Sequence, residues 1–186
     1  IVRDLGLVLF GSFLLAISAQ YKIPYLPVPA TLQSLVVMFI GTIYGWRLGA
    51  ATIIAYWLEG MAVGVLFSFL PWFANGSGLA YFLGSPTAGF LWGFLPMVLI
   101  IGYLSDNLEW RKSPLMLMLA LLIGQFFLYL VGISQAYFLI LPTVTWMNSF
   151  EDLLALYFIP FVHGDLIKTF LVSMCTWELA NRVIKN

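Results

Sequence analysis

Six apolar stretches dominate this chain, at about residues 5–21, 31–46, 48–67, 86–105, 114–140 and 153–181. About 20 such residues cross the hydrocarbon core of a bilayer. Inside lipid every backbone N–H and C=O must find a partner within the chain, which selects helices for such segments. The pattern predicts an all-α membrane protein of six transmembrane helices, forming a single domain over residues 1–186. Composition agrees, with 62% hydrophobic and 9% charged residues, where a soluble domain is nearer half apolar and about a quarter charged. The second stretch is short for a full crossing. Gly41, Gly45 and Gly49 predict a tight turn between the second and third spans, and Pro96 and Pro160 predict kinks in the fourth and sixth. The opening "IVRDLGLVLF" carries no small-residue cleavage pattern, so the first span is expected to be retained.

Basic residues set the orientation. With six spans, Arg3, Arg47, Arg111, Lys112, Arg182 and Lys185 share one side and Lys22 alone takes the other, while Lys168 falls inside the last span. The positive-inside rule then places both termini in the cytoplasm. On the outer side, "KIPYLPVPA" (22–30) holds three prolines and must run extended. The longer connection "SFLPWFANGSGLAYFLGS" (68–85) has no charge and is rich in aromatics and glycine. A free loop would be polar, so this one is expected to fold back over the bundle as an outer lid.

Several activities are excluded or weakened. Zero net charge argues against nucleic acid. A single cysteine, Cys175, precludes an internal disulfide, and with a single histidine it cannot build a zinc site, so no metal or cofactor is expected. There is no G-x-x-x-x-G-K-[ST], so ATP would have to be hydrolysed by another subunit. "NGSG" (75–78) with His163 faintly echoes the G-x-S-G nucleophile and histidine of rhomboid intramembrane proteases. However, Asn75 replaces the first glycine, and a turn is the simpler role.

The pair that most needs an explanation is Asp165 and Lys168, three residues apart in the last span and therefore on one helix face. A charge in the bilayer costs about 2.5–3.5 kcal/mol on insertion scales and marks a bundle interior or cavity. The pair could merely neutralise itself, but buried pairs stabilise weakly; a ligand site with an acceptor and a cationic donor is the stronger reading. His163 points elsewhere, and Gly164 allows a close backbone approach. Gln33 is expected at the outward mouth. Glu59 could line a pocket or sit at an interface, and Gln125 and Gln135 are expected to hydrogen-bond between helices. Trp57, Trp72, Tyr81, Trp92 and Trp146 read as interfacial aromatics, with Trp72 and Tyr81 alternatively lining the lid. Ser12 and Ala16, with Ala19 near the same face, form a small-residue stripe for close packing within the bundle or against a partner.

"VPATLQSLVV" (28–37), "GWRLGA" (45–50), "NGSG" (75–78), "LGSPTAGFLWGF" (83–94) and "GDLIKT" (164–169) occur in that order along nearly the whole chain. Together they resemble the BioY family, the biotin-binding S components of energy-coupling-factor (ECF) transporters. The resemblance implies an S-component-like bundle in a bacterial cell membrane that binds biotin on its outward side. It also implies docking on a coupling membrane protein that carries two ATPase subunits, with Ser12, Ala16 and Ala19 facing that protein. An S component for another vitamin is the nearest alternative. Biotin's ureido ring would use Asp165 as acceptor, and Lys168 would donate to its carbonyl or tail carboxylate. On the same resemblance Asn75 reaches in from the lid, Gln33 closes the polar ring, and Trp72 and Tyr81 flank the bicycle.

Overall fold

A computed structural model of the chain describes residues 1–24, 27–67, 70–108, 110–145 and 147–185, with side chains through residue 182. Among these, five helical stretches are long and apolar enough to cross a bilayer. The second, Gln33–Leu66, breaks at Gly45, whose φ of 75° and ψ of −180° lie outside helical space. Beyond the break the chain doubles back. Gln33 and Tyr56 would stand about 34 Å apart along a straight helix, yet their side chains are 2.8 Å apart. The stretch is therefore two antiparallel legs, and six transmembrane legs result, as the apolar pattern predicts.

The helices are α1 (Val2–Gln20), α2 (33–44) and α3 (46–66), α4 (Leu79–Gly84), α5 (Ala88–Asn107), α6 (Pro114–Gln135), α7 (Phe150–Tyr157) and α8 (Ile159–Lys185). Local chemistry sets several ends. Pro114 begins α6, where its missing N–H has no helical partner to lose. Ser149 and Asp152 form a reciprocal capping box at the start of α7. The predicted sixth span breaks at Phe158, and Pro160 occupies the first turn of α8 rather than kinking a continuous helix.

The turn at Gly45 seats directly on α5, where a Cβ on Gly102 would lie 2.3 Å from the Trp46 nitrogen. The N-terminus, this turn and the end of α5 meet at one end of the bundle, around a cleft lined by Asp4, Arg47 and Asp106. Arg111 bonds Asp106 there at 2.6 Å. This is the cationic, cytoplasmic end by the positive-inside rule.

At the opposite end the proline-rich segment is extended only at its two ends, which pair as a two-rung antiparallel ladder of β1 (Lys22–Ile23) and β2 (Ala30–Thr31), while residues 27 and 28 bend. The outer connection folds inward. Phe73 is fully buried, stacks on Tyr81, and fills the space that a Cβ on Gly60 would occupy. Gln20 donates to the carbonyls of Pro71 and Phe73, and Lys22 to those of Ala74 and to the Asn75 side chain. The predicted lid is thus strapped down by side chains from α1 and β1. Residues 25, 26, 68 and 69 of the two outer segments, and Trp146, lie outside the described residues.

Two interfacial assignments are corrected. Trp57 donates to the Leu91 carbonyl at 3.2 Å and Trp92 to the Phe82 carbonyl at 3.0 Å. Both indole N–H groups are consumed between elements of the bundle instead of facing headgroups.

Candidate functional site

A cavity of about 70 Å³ lies beneath the outer connection. Phe90, Phe94 and Leu91 from α5, Leu128 from α6, Phe161 from α8 and Ala74 from the lid give it an apolar wall. Its polar side is built by Asp165, Lys168, Tyr129, Ser34, Gln33 and Thr31. Convergent polar groups in an aromatic cavity are the usual form of a small-molecule site.

Asp165 and Lys168 face the same way because they are one helical turn apart, and their charged atoms meet at 3.0 Å. Asp165 is only 6% exposed. Its Oδ1 also accepts from Ser34 Oγ at 3.3 Å, and its Oδ2 accepts from Tyr129 Oη at 2.5 Å. A buried carboxylate with three donors is well compensated. Lys168 spends all three of its N–H bonds within the protein, on Asp165, on Ser34 Oγ at 2.9 Å and on the Thr31 carbonyl at 3.0 Å. Any ligand acceptor that engages Lys168 must displace one of these. The Thr31 bond also ties β2 to α8, so such a displacement would loosen the hairpin at the mouth.

The supports lie one layer back. Gln125 donates to the Asp165 carbonyl at 3.3 Å and to Thr169 Oγ1 at 2.8 Å, the interhelical role expected of it. Gln135 donates to the Ser85 carbonyl at 3.3 Å. Gln33 lines the cavity, and its amide donates to Tyr56, whose hydroxyl donates to the Trp72 carbonyl at 3.2 Å. This chain links the mouth to the lid backbone.

The predicted residues are only partly brought together. Asp165, Lys168 and Gln33 share the cavity. Gly164 and His163 line an outer groove with β1 and β2; this groove shares Thr31, Phe161, Asp165 and Lys168 with the cavity. Asn75 is exposed, with its side-chain oxygen on Lys22 at 2.7 Å. Tyr81 bonds Thr87 at 2.9 Å and stacks on Phe73, behind the lining. Trp72 is half-buried with its indole nitrogen unpartnered. Ser12, Ala16 and Ala19 are buried, and Ser12 bonds Glu59 of α3 at 2.9 Å. In this conformation that stripe is covered by the chain itself and does not face outward. Glu59 accordingly belongs to the α1–α3 seam and not to the cavity. No hydrogen bond joins Ser77 to His163 among the described residues, so the protease echo has no geometry.

Tyr129 and Ser34 escaped the sequence reading, because a lone tyrosine or serine in a span carries no local signal. Removing the Tyr129 hydroxyl deletes a bond to a charged acceptor, and such bonds contribute about 1.5–3 kcal/mol. Tyr129→Phe is therefore expected to lower stability by that amount, read as a drop in the thermal midpoint in detergent, with the secondary structure intact.

The BioY family model matches residues 2–185. A probable biotin transporter BioY from Lysinibacillus sphaericus is 31% identical over 183 residues, covering 97% of this chain and 87% of that protein. The biotin transporter BioY of Thermotoga maritima is 30% identical, covering 89% of each. That of Rhodobacter capsulatus is 34% identical over 92% of this chain and 91% of its own length. Among solved structures, the S-component for biotin from an ECF-type ABC transporter superposes with a TM-score of 0.74 at 24% identity, covering 97% of this chain and 92% of that one; at that identity the likeness establishes the fold. With residues 2–185 matched by the family model, the chain belongs to the BioY family.

Proposed function

We propose that this chain is a biotin-uptake protein, the membrane-embedded S component that captures biotin outside the cell. It would deliver the vitamin with a separate coupling membrane protein and two ATPase subunits. The observation that carries the reading is the Asp165–Lys168 pair, buried in an aromatic cavity at the non-cytoplasmic end of a bundle of the S-component fold. Biotin has two ureido N–H donors, a strong carbonyl acceptor, an apolar thioether ring and an anionic tail. Asp165 meets a donor, Lys168 an oxygen acceptor, and the Phe90 and Phe94 wall the ring.

The cavity's 70 Å³ holds roughly five waters, less than the bicycle and its tail require. Capture therefore begins with the outer connection lifted from its Gln20 and Lys22 straps and ends with it closed over the ligand. Lys168 would exchange its Thr31 or Ser34 bond for a ligand oxygen. No covalent step occurs on the chain; its role is recognition.

Labelled biotin titrated onto the purified protein in detergent tests this. Saturable sub-micromolar binding, competed by unlabelled biotin but not by thiamine or riboflavin, is expected. Absence of biotin binding, or displacement by another vitamin, would refute the assignment.

A further inference from the structure

Besides Asp165, Glu59 is an acid held at hydrocarbon depth, and the ligand cavity does not use it. It lies in α3 roughly 21 Å along the helix from the Gly45 turn, against Ser12 near the middle of α1. It is half-buried, and its Oε2 is buried with no partner.

Every cation whose side chain is described is engaged or placed elsewhere. Lys22 is on Ala74 and Asn75, and Lys168 on Thr31, Ser34 and Asp165. Arg3 pairs with Asp4, Arg47 sits over the Trp46 ring, Arg111 pairs with Asp106, and Arg182 with Glu178. His163 lines the outer groove, while Lys112 stands in the turn before α6 at the cytoplasmic end. Among the described residues an ionised Glu59 would have no counter-charge, in the solvent that tolerates this least.

The proton count points the same way. Ser12 Oγ lies 3.0 Å from the Leu9 carbonyl and 2.9 Å from Glu59 Oε1. A serine hydroxyl has one proton. Facing a carboxylate, Ser12 can satisfy one of these oxygens and must abandon the other. If Glu59 carries the proton, its O–H donates to Ser12 Oγ, and Ser12 donates to Leu9. Both contacts are then hydrogen bonds, and only a neutral C=O is left unpartnered.

We infer that Glu59 is a proton-binding site within the bilayer, held as the free acid by Ser12, and that it is therefore a site of modification by membrane-soluble carbodiimides. In that reaction the acid proton moves to a carbodiimide nitrogen as the carboxyl oxygen bonds the central carbon. The resulting O-acylisourea rearranges by O-to-N acyl transfer to a stable N-acylurea. Nothing leaves, so the chain gains the whole reagent mass. Asp165, ionised against Lys168, is spared.

The test is dicyclohexylcarbodiimide treatment of the full chain in detergent micelles at neutral pH, read by intact and peptide mass spectrometry. One adduct per chain is expected, on the peptide containing Glu59, absent in Glu59→Gln and unaffected by added sodium or potassium. A water-soluble carbodiimide should leave the site unmodified. No adduct on the intact chain, an adduct that persists in Glu59→Gln, or suppression by an alkali cation would overturn the inference. Melting supplies an independent readout, because glutamine keeps a donor for Ser12. The midpoint of Glu59→Gln should stay within about 2 °C of the parent. A rise of more than about 5 °C would mean that an ionised group had been removed, and would also overturn it.

Discussion

Replacing Asp165 with asparagine is expected to weaken biotin binding at least about 30-fold and to lower the melting midpoint. Removing one partner of a buried hydrogen-bonded ion pair costs roughly 2–5 kcal/mol in binding, and about 1.4 kcal/mol is tenfold in affinity. The structural reason is specific. Lys168 would keep Thr31 and Ser34 but lose its counter-charge, and Tyr129 would lose a carboxylate acceptor. Lys168→Met removes the cation instead, leaving Asp165 with the Ser34 and Tyr129 hydroxyls. Its effect on folding should be at least as large, because the more buried member of the pair is left without its counter-charge, and its effect on binding should be as large. Both variants are measured by biotin titration and thermal melting on the same preparations.

The second large effect is expected at the hinge between α2 and α3. Gly45→Val places a β-branched residue at φ 75° and ψ −180°, backbone space that is essentially reserved for glycine and costs of order 1–3 kcal/mol for other residues. The new Cβ would also stand 2.0 Å from Asp106 Oδ2. Asp106 would have to swing away, abandoning its 2.6 Å bond to Arg111. A total loss above about 3 kcal/mol is expected, seen as a collapse of the monodisperse peak in size-exclusion chromatography and of the melting midpoint. Gly6→Ala is the control, since nothing lies within 4 Å of its added Cβ; it should be neutral or slightly stabilising.

Much of the fold is legible because lipid leaves few choices. Apolar length, basic asymmetry and the Gly41–Gly45–Gly49 cluster are local signals, and they place the legs and the α2–α3 turn. Prolines at 24, 27 and 29 announce an extended segment, but its ladder joins Lys22 to Thr31, a pairing no single residue declares. The site is legible where the cost of burial is high. Asp165 and Lys168 stand out because charge in hydrocarbon demands a reason. Tyr129 and Ser34 do not, since a hydroxyl in a span is cheap and its partner lies 36 or 131 residues away. Trp57 and Trp92 misled for the same reason: an indole reads as interfacial until the carbonyl that it bonds is known. The spacing of Ser12 and Ala16 marks a close approach without naming its partner; α3 makes one there through Glu59, 47 residues away.

The biotin affinity of the Asp165→Asn, Lys168→Met double variant separates a recognition role of the pair from a purely structural one. Replacing both members of a buried pair leaves no uncompensated charge, so this variant should fold and melt no lower than either single variant. Under the proposed recognition, its titration should show affinity reduced at least about 30-fold in a chain that is otherwise well folded. A double variant that melts like the parent and binds biotin with parental affinity would contradict the account, leaving the pair a structural clasp with no part in recognition.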